Sequence, residues 1–486
     1  MTEAKNAKKI YITTAIDYTN AIIHIGQAYE KILADCFARY YREKLGKENV
    51  FFTTGTDEHG TTNAKAAKDG GIPPQEHVDF VSKQDKEQID SLNISYDRFI
   101  RTTDDDHKKV ASDFFQKSFD AGDIYKGSYE GLYCEGCEAH KTLSELNEDK
   151  RCKLHPSREI QKHEEENYFF KWSKYEGFLR GLLEKPGFSL PDGKRKEMLG
   201  FINSGIQDIP VTRPKYKLNW GVVSPIDPEQ VIYVWFDALV NYFTFGSEKK
   251  IWNEDTKIIH FVGKDINRWH SLLWPAMLKS AGYRIPDVIY THGFITLDGQ
   301  KISKSLGNVI SPQELVDQFG SDAVRYYFLK HGPITEDVDV SIDHIKEVYN
   351  ADLANGIGNT AARLAKLAEK SDFEFPATAA TEKATGKKEV WNEGAVKTME
   401  EDYRVDLVLS NTVWANISEL NKHINQETPW AIEDKTKLKE VLTYEIGELR
   451  KIAEQLKPFI PETAEKIQKQ FGSAKIKSGE SLFPRL

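Results

Sequence analysis

KIYITTAIDYTNAIIHIGQAYEKILADCFARYYREKLGKENVFFTTGTDEHG, residues 9–60, carries the decisive pattern. Lys9 to Thr14 is a short run rich in β-branched and aromatic residues, Ala28 to Leu45 has helical periodicity, and Val50 to Thr54 is a second β-rich run. Strand, helix and strand in that order predict a βαβ unit. Two more apolar runs, Ile258 to Val262 and Val288 to Thr291, end in the small polar clusters Gly263-Lys264-Asp265 and His292-Gly293. Near-continuous apolar strands with polar residues at their C-terminal ends are the mark of a buried parallel sheet with a ligand crevice. The expected fold is therefore α/β, a doubly wound parallel sheet.

Working outward, the sheet-forming segments are separated by an insertion from about Asp123 to Thr212, which holds clustered cysteines and Lys/Glu-rich stretches. Beyond Asp343 the pattern turns helical. Leu438, Val441, Leu442, Ile446, Leu449, Ile452, Ala453 and Leu456 recur at three- and four-residue steps and predict one buried stripe of a helix bundle. Pro376 to Lys388, rich in Ala, Thr and Lys, reads as a solvated loop within it. The expected division is 1–122 and 213–342 for the two halves of the sheet domain, 123–212 for the insertion and 343–486 for the all-α domain. A composition of 40% hydrophobic and 29% charged residues excludes collagen-like and disordered classes. The opening MTEAKNAKK has no apolar stretch behind it and no apolar run reaches the roughly 18 residues of a membrane helix, so a cytoplasmic protein without a membrane partner is expected. The net charge of -9 speaks weakly against nucleic acid, because local faces matter more than totals.

Four cysteines in 486 residues cannot form a disulfide framework, and three of them are crowded together. Cys134-x2-Cys137-x14-Cys152-x2-His155 places two ligands on each of two turns, as tetrahedral zinc requires. All four positions are filled, which predicts a structural Zn2+ rather than a catalytic one. His140 is a weaker candidate ligand.

Between the first strand and the first helix lies His24-Ile25-Gly26-Gln27, where free backbone amides and the helix dipole favour phosphate. Gly26 lets a base or phosphate approach the backbone closely. The plainer alternative is that His24 only caps the helix. Far downstream, Lys301-Ile302-Ser303-Lys304-Ser305 sets two ammonium groups three residues apart in a Gly/Ser-rich loop. Such a loop is either simply solvated or a clamp for the negative charge that moves onto a leaving pyrophosphate.

Taken in this order and this far apart, the two segments resemble the paired signature sequences of class I aminoacyl-tRNA synthetases. From Lys9 to Phe471 the chain is similar to the methionyl-tRNA synthetase family, through TGTDEHG (54–60), YVWFDALVNY (233–242), GKDINRWHSLLWPAML (263–278) and Pro429-Trp430. The resemblance implies a Rossmann-like catalytic domain, a zinc-knuckle insertion and an anticodon-binding bundle. It implies ATP-dependent formation of methionyl-adenylate, then transfer of methionine to the 3′ end of tRNA(Met), with Mg2+ accompanying ATP. It assigns catalysis to His24, Gln27, Lys301 and Lys304, and ATP binding to His24, Gly26, Gln27, Gly263, Asp265, His292 and Lys304. Methionine is assigned to Ala15, Tyr18, Asp57, Arg213, Trp235, Ala238, Leu239, Tyr242, Trp269, His270 and Trp274, with Asp57 on the α-ammonium and Arg213 as its orienting partner. Asn359, Arg363 and Trp430 are assigned to the CAU anticodon. A thioether packs well against aromatic rings, which suits this lining to methionine.

The chain departs from the family at Gln27, where a second His is usual. A Gln amide can still donate a hydrogen bond but never carries charge. Ile302, in place of a common Met, is a milder change. The rival readings are a sibling synthetase for isoleucine, leucine, valine or cysteine, and a catalytically silent tRNA-binding protein. The insertion is too short for the editing module of the branched-chain enzymes, and a cysteine enzyme would hold zinc in the amino-acid pocket. Both initiator and elongator tRNA(Met) are expected partners. A monomer is expected, since no oligonucleotide-binding barrel follows the bundle.

Overall fold

The computed structural model describes residues 7–137, 139–141, 145–297, 299–302, 309–376 and 390–486. Its contacts divide the chain into two compact units: residues 1–23, 41–90 and 95–292 form one, and residues 24–40, 91–94 and 293–486 the other.

The first unit is built on a seven-stranded sheet. Its order is Asp17–Tyr18, Val50–Asp57, Lys9–Thr14, Thr256–Gly263, Val288–His292, Ser189–Leu190, with Arg98–Arg101 also paired to Val50–Asp57. All of these pairings are parallel. Val50–Asp57 and Thr256–Gly263 each bury seven of their eight residues, as strands covered on both faces must. Gly55 is required inside its strand, since a Cβ there would run into the Ile100 carbonyl of the neighbouring strand. The chain order reverses at Lys9–Thr14, which has Val50–Asp57 on one side and Thr256–Gly263 on the other. That topological switch opens the ligand crevice of such sheets at the C-terminal strand ends.

A four-stranded antiparallel sheet, ordered Ala139–Lys141, Ile124–Cys134, Gln161–Phe170, Ile209–Pro210, occupies the inserted stretch. Its base merges into a large apolar cluster that includes Phe114, Phe170, Trp172, Phe236, Trp269 and Trp274.

The second unit is mostly helical. Lys435–Leu456 buries Leu442, Ile446, Leu449, Ile452, Ala453 and Leu456 along the expected stripe, while Leu438 and Val441 are only half-buried. The loop expected from Pro376 to Lys388 lies outside the described residues beyond Pro376. Arg325, with no exposed surface, ties this unit together. It pairs with Asp35 at 2.7 Å and donates to the carbonyls of Leu92 (3.3 Å), Pro458 (3.2 Å) and Phe459 (2.9 Å). Among the described residues, no helix is long and apolar enough to cross a membrane.

Candidate active site

Several of the expected residues converge at the C-terminal edge of the parallel sheet in the first unit. Asp57 ends its strand, Gly263 and His292 end two others in register, and Ala15 follows the first. A Cβ on Gly263 would lie 2.8 Å from Asp265 Oδ1 and about 4 Å from the His292 ring, so these three residues crowd one spot where backbone must be bare.

The aromatic residues assemble into one lining. Trp235 and Trp269 stack with centroids 4.9 Å apart and an interplanar angle of 18°. Tyr18 meets Trp235 edge-on at 6.4 Å, and His270 meets it at 6.5 Å and 90°. Such contacts add about 0.5–1.5 kcal/mol each beyond burial. Trp269 and His270 sit on a π-helical turn, Trp269–Leu273, that runs directly into the helix opened by Trp274. Ala238 ends the short helix Val234–Ala238 and Leu239 follows it.

Two buried histidines fix the hydrogen-bonding order beneath this lining. His270 Nδ1–H donates to the Ile266 carbonyl (2.9 Å), which leaves Nε2 to accept from the Tyr242 hydroxyl at 2.7 Å. Trp274 Nε1–H donates to His260 Nε2 (3.2 Å), so the other ring nitrogen donates to Thr13 Oγ1 (2.6 Å). Burial, with His270 nearby, holds His260 well below the usual histidine range and keeps it neutral.

Asp57 is buried, and its carbonyl accepts from the Thr19 amide (3.2 Å) and Asn63 Nδ2 (2.9 Å). It does not cap the next helix; Gly60 occupies that position. Arg213, also buried, lies over the rings of Tyr133 (4.7 Å) and Tyr233 (5.2 Å).

In the same unit, the potential metal-binding atoms of Cys134, Cys137, Cys152 and His155 all lie within 4.8 Å of one another. Cys137 Sγ is 3.5 Å from Cys152 Sγ and 3.3 Å from His155 Nδ1, and Cys134 Sγ is 3.8 Å from the same nitrogen. Bonds of about 2.0–2.3 Å to a tetrahedral ion set ligand separations of roughly 3.5–3.8 Å, so the donor set fits zinc. Gly136 makes the approach possible, since a Cβ there would lie 2.5 Å from the His155 ring.

The second unit carries both signature segments. The helix Ile25–Leu45 begins three residues before the expected Ala28, because His24 and Gln27 cap it reciprocally. His24 Nδ1 accepts from the Gly26 amide (3.0 Å), and Gln27 Oε1 accepts from the His24 amide (3.2 Å). This is a reciprocal cap like a capping box, except that the His24 side chain serves the second amide of the helix rather than the third. With Nδ1 accepting, the ring proton sits on Nε2 as a donor. Gly26 leaves room for this cap, since a Cβ there would lie 2.8 Å from the His24 ring and push it aside. The Ile25 amide donates to the Ile310 carbonyl at 3.1 Å, which binds the first signature segment to the chain just beyond the second. A capping box between Ser311 and Glu314 fixes that flank. Lys301 pairs through its backbone with Thr296; Lys304 lies outside the described residues.

In the helical part of this unit Trp430 is 54% exposed rather than core. The Arg363 guanidinium covers its ring at 5.3 Å and donates to Asn425 Oδ1 at 3.0 Å. Asn359, one helical turn before Arg363, is exposed.

Sequence reasoning assigned no role to His59, His107, Asp237, His260 or Asn425. His59 and Asp237 lie inside motifs quoted for other residues, and their chemistry, two imidazoles and a carboxylate in apolar surroundings, was the available signal.

A nucleotide-type parallel sheet with this edge, and the two signature segments in the sequence, are the features of a class I tRNA synthetase. The family model described as "tRNA synthetases class I (M)" matches residues 10–145 and 134–365. Methionine–tRNA ligase of Thermosynechococcus vestitus is 39% identical across 98% of this chain and 92% of its own. That of Caldanaerobacter subterraneus subsp. tengcongensis is 38% identical across 99% and 79%. The structure of Mycobacterium tuberculosis methionyl-tRNA synthetase in complex with methionyl-adenylate, 33% identical, superposes with a TM-score of 0.87 over 98% of this chain and 100% of that one. Within the class, the chain belongs to the methionyl-tRNA synthetase family.

Proposed function

We propose that the protein joins L-methionine to ATP, releasing pyrophosphate and forming methionyl-adenylate, and then passes the methionyl group to the 3′ end of tRNA(Met). The observation that supports this most is the stacked Trp235–Trp269 pair beside the Tyr242–His270 bond, in the same unit as Asp57 at its strand end. The rings accept a polarisable thioether, and the carboxylate suits an α-ammonium.

Attack of the methionine carboxylate on the α-phosphate builds charge on phosphate oxygens. The chain meets it with donors rather than proton shuttles: His24 through Nε2, Gln27, Lys301 and Lys304. Gly263, Asp265 and His292 line the nucleotide, and Mg2+ travels with the phosphates as a hard cation. Arg213 orients Asp57. Zinc held by Cys134, Cys137, Cys152 and His155 orders the inserted turns and takes no part in the reaction. Asn359, Arg363 and Trp430 read the anticodon by stacking and hydrogen bonding, on initiator and elongator tRNA alike.

Amino-acid-dependent ATP–pyrophosphate exchange with methionine, isoleucine and cysteine tests the reading. Exchange with methionine alone is expected. Exchange with another of the three would move the chain's specificity to a sibling, and none at all would leave a silent tRNA-binding protein. Initiator and elongator transcripts, charged separately, test the tRNA assignment.

A further inference from the structure

Below the lining, the first unit contains a buried carboxylate that the reaction does not use. Asp237, on the helix Val234–Ala238, has no exposed surface. Its Oδ2 accepts from His59 Nδ1–H at 2.6 Å and its Oδ1 accepts from His107 Nε2–H at 2.9 Å. The second nitrogen of His107 lies 3.1 Å from Thr244 Oγ1. His59 and His107 are themselves buried. Burial alone would push the Asp237 carboxyl up, but the two imidazoles outweigh it and hold the group far below the usual carboxylate range.

The position of this triad gives it meaning. His59 is two residues after Asp57, and Asp237 is two residues after Trp235 and directly precedes Ala238 and Leu239. The loop that carries Asp57 and His59 is fixed on its other sides. Asn63 Nδ2 bonds the carbonyls of Asp57 and His59, both at 2.9 Å, and Trp220 Nε1 donates to the Glu58 carbonyl at 2.6 Å. The short helix is braced by Asn241, whose Nδ2 donates to the Ala238 carbonyl at 2.7 Å. Among these side-chain bonds, the His59–Asp237 bond is the one that crosses from the loop to the helix.

We infer that Asp237 is a positioning residue for substrate length. By holding His59 and His107 it sets the separation between the carboxylate that takes the ammonium and the wall that takes the side chain, and so favours methionine over homologues one methylene shorter or longer. This rests on the proposed assignment of Asp57 and Trp235 to the two ends of the amino acid. A hydrogen bond of 2.6 Å leaves little play, and displacement of a binding group by about 1 Å can cost on the order of 100-fold in rate.

ATP–pyrophosphate exchange by the full-length protein tests it, with methionine, S-methylcysteine and ethionine as substrates. Asp237→Asn is expected to raise KM for methionine about tenfold or more, to leave KM for ATP within about twofold, and to shrink the preference for methionine over both homologues. His59→Gln, which retains an N–H donor, is expected to recover most of what His59→Ala loses, and this pair carries the test if Asp237→Asn fails to fold. An unchanged ratio of methionine to its homologues in Asp237→Asn and His59→Ala overturns the inference. So does a loss that falls equally on methionine and ATP, since that is what general loosening produces. A wild-type protein inactive with methionine overturns the underlying functional reading instead.

Discussion

The aromatic lining and the Cys3His cluster lie in the same unit and differ in how much burial supports them. Trp235, Tyr242, Trp269 and Trp274 of the lining are members of the large apolar cluster, and their geometry is prepared by the packing that folds the unit. The metal cluster is only partly supported this way: Cys134 and Cys152 are buried and Cys137 packs at the edge of the same apolar cluster, but on the turn that brings His155, Leu154 is 50% exposed and Lys153 and Pro156 are exposed as well. Where burial supplies order, a site can stand without its ligand. Where burial is only partial, a bound ion adds the order that packing leaves out.

The sharpest test of this contrast removes the metal. Chelation, or Cys152→Ser, is expected to abolish stoichiometric zinc and to release amide protection in Ile124–Cys134 while Thr256–Gly263 stays protected, as followed by hydrogen exchange. Structural zinc sites are typically worth roughly 10–16 kcal/mol of apparent binding. Equal loss of protection in both strands would erase the distinction. Next comes Asp57→Ala, which removes the carboxylate proposed to pair with the substrate ammonium while the aromatic lining stays packed. A cost of about 2–5 kcal/mol in methionine kcat/KM is expected, with no change in melting temperature beyond a few degrees. Tyr242→Phe probes the packing itself, because it leaves His270 Nε2 buried without its donor; about 1–3 kcal/mol of stability should be lost in urea denaturation. The smallest effect is expected from Gln27→His. A histidine nitrogen can take over the bond from the His24 amide, so adenylation should change by less than about 1 kcal/mol in exchange assays. Complete loss there would mean that the nucleotide site has been rebuilt around the amide.

Much of this was legible in the amino acids because it depends on local pattern. Continuous β-branched runs marked the parallel strands, and two short Cys/His doublets marked the metal cluster. The start of the helix at Ile25 was only half legible: His24 stood as a possible cap, but with no Ser, Thr, Asp or Asn at that position the helical pattern became plain only from Ala28, and the reciprocal part played by Gln27 went unread. The pairing within the Asp237 triad was not legible for a different reason: the residue types gave a signal, but the partners stand 130 and 178 positions away, and no spacing rule encodes a contact of that separation. Trp430 carried a preference for the core by residue type alone, and only the fold shows that Arg363 covers one face of it while the ring remains accessible.

Arg325 has a practical corollary. Its guanidinium answers to Asp35 on the helix that starts with the first signature segment, and to carbonyls at 458 and 459 near the end of the chain. A fragment truncated at 342, the tidy cut suggested by the change from strands to helices, would keep the cation and its counter-ion but discard two of the oxygens that solvate them. Deletion studies meant to separate adenylation from tRNA recognition should therefore read a dead fragment as damage to the helix that opens with the first signature segment, not as proof that the missing portion performs chemistry.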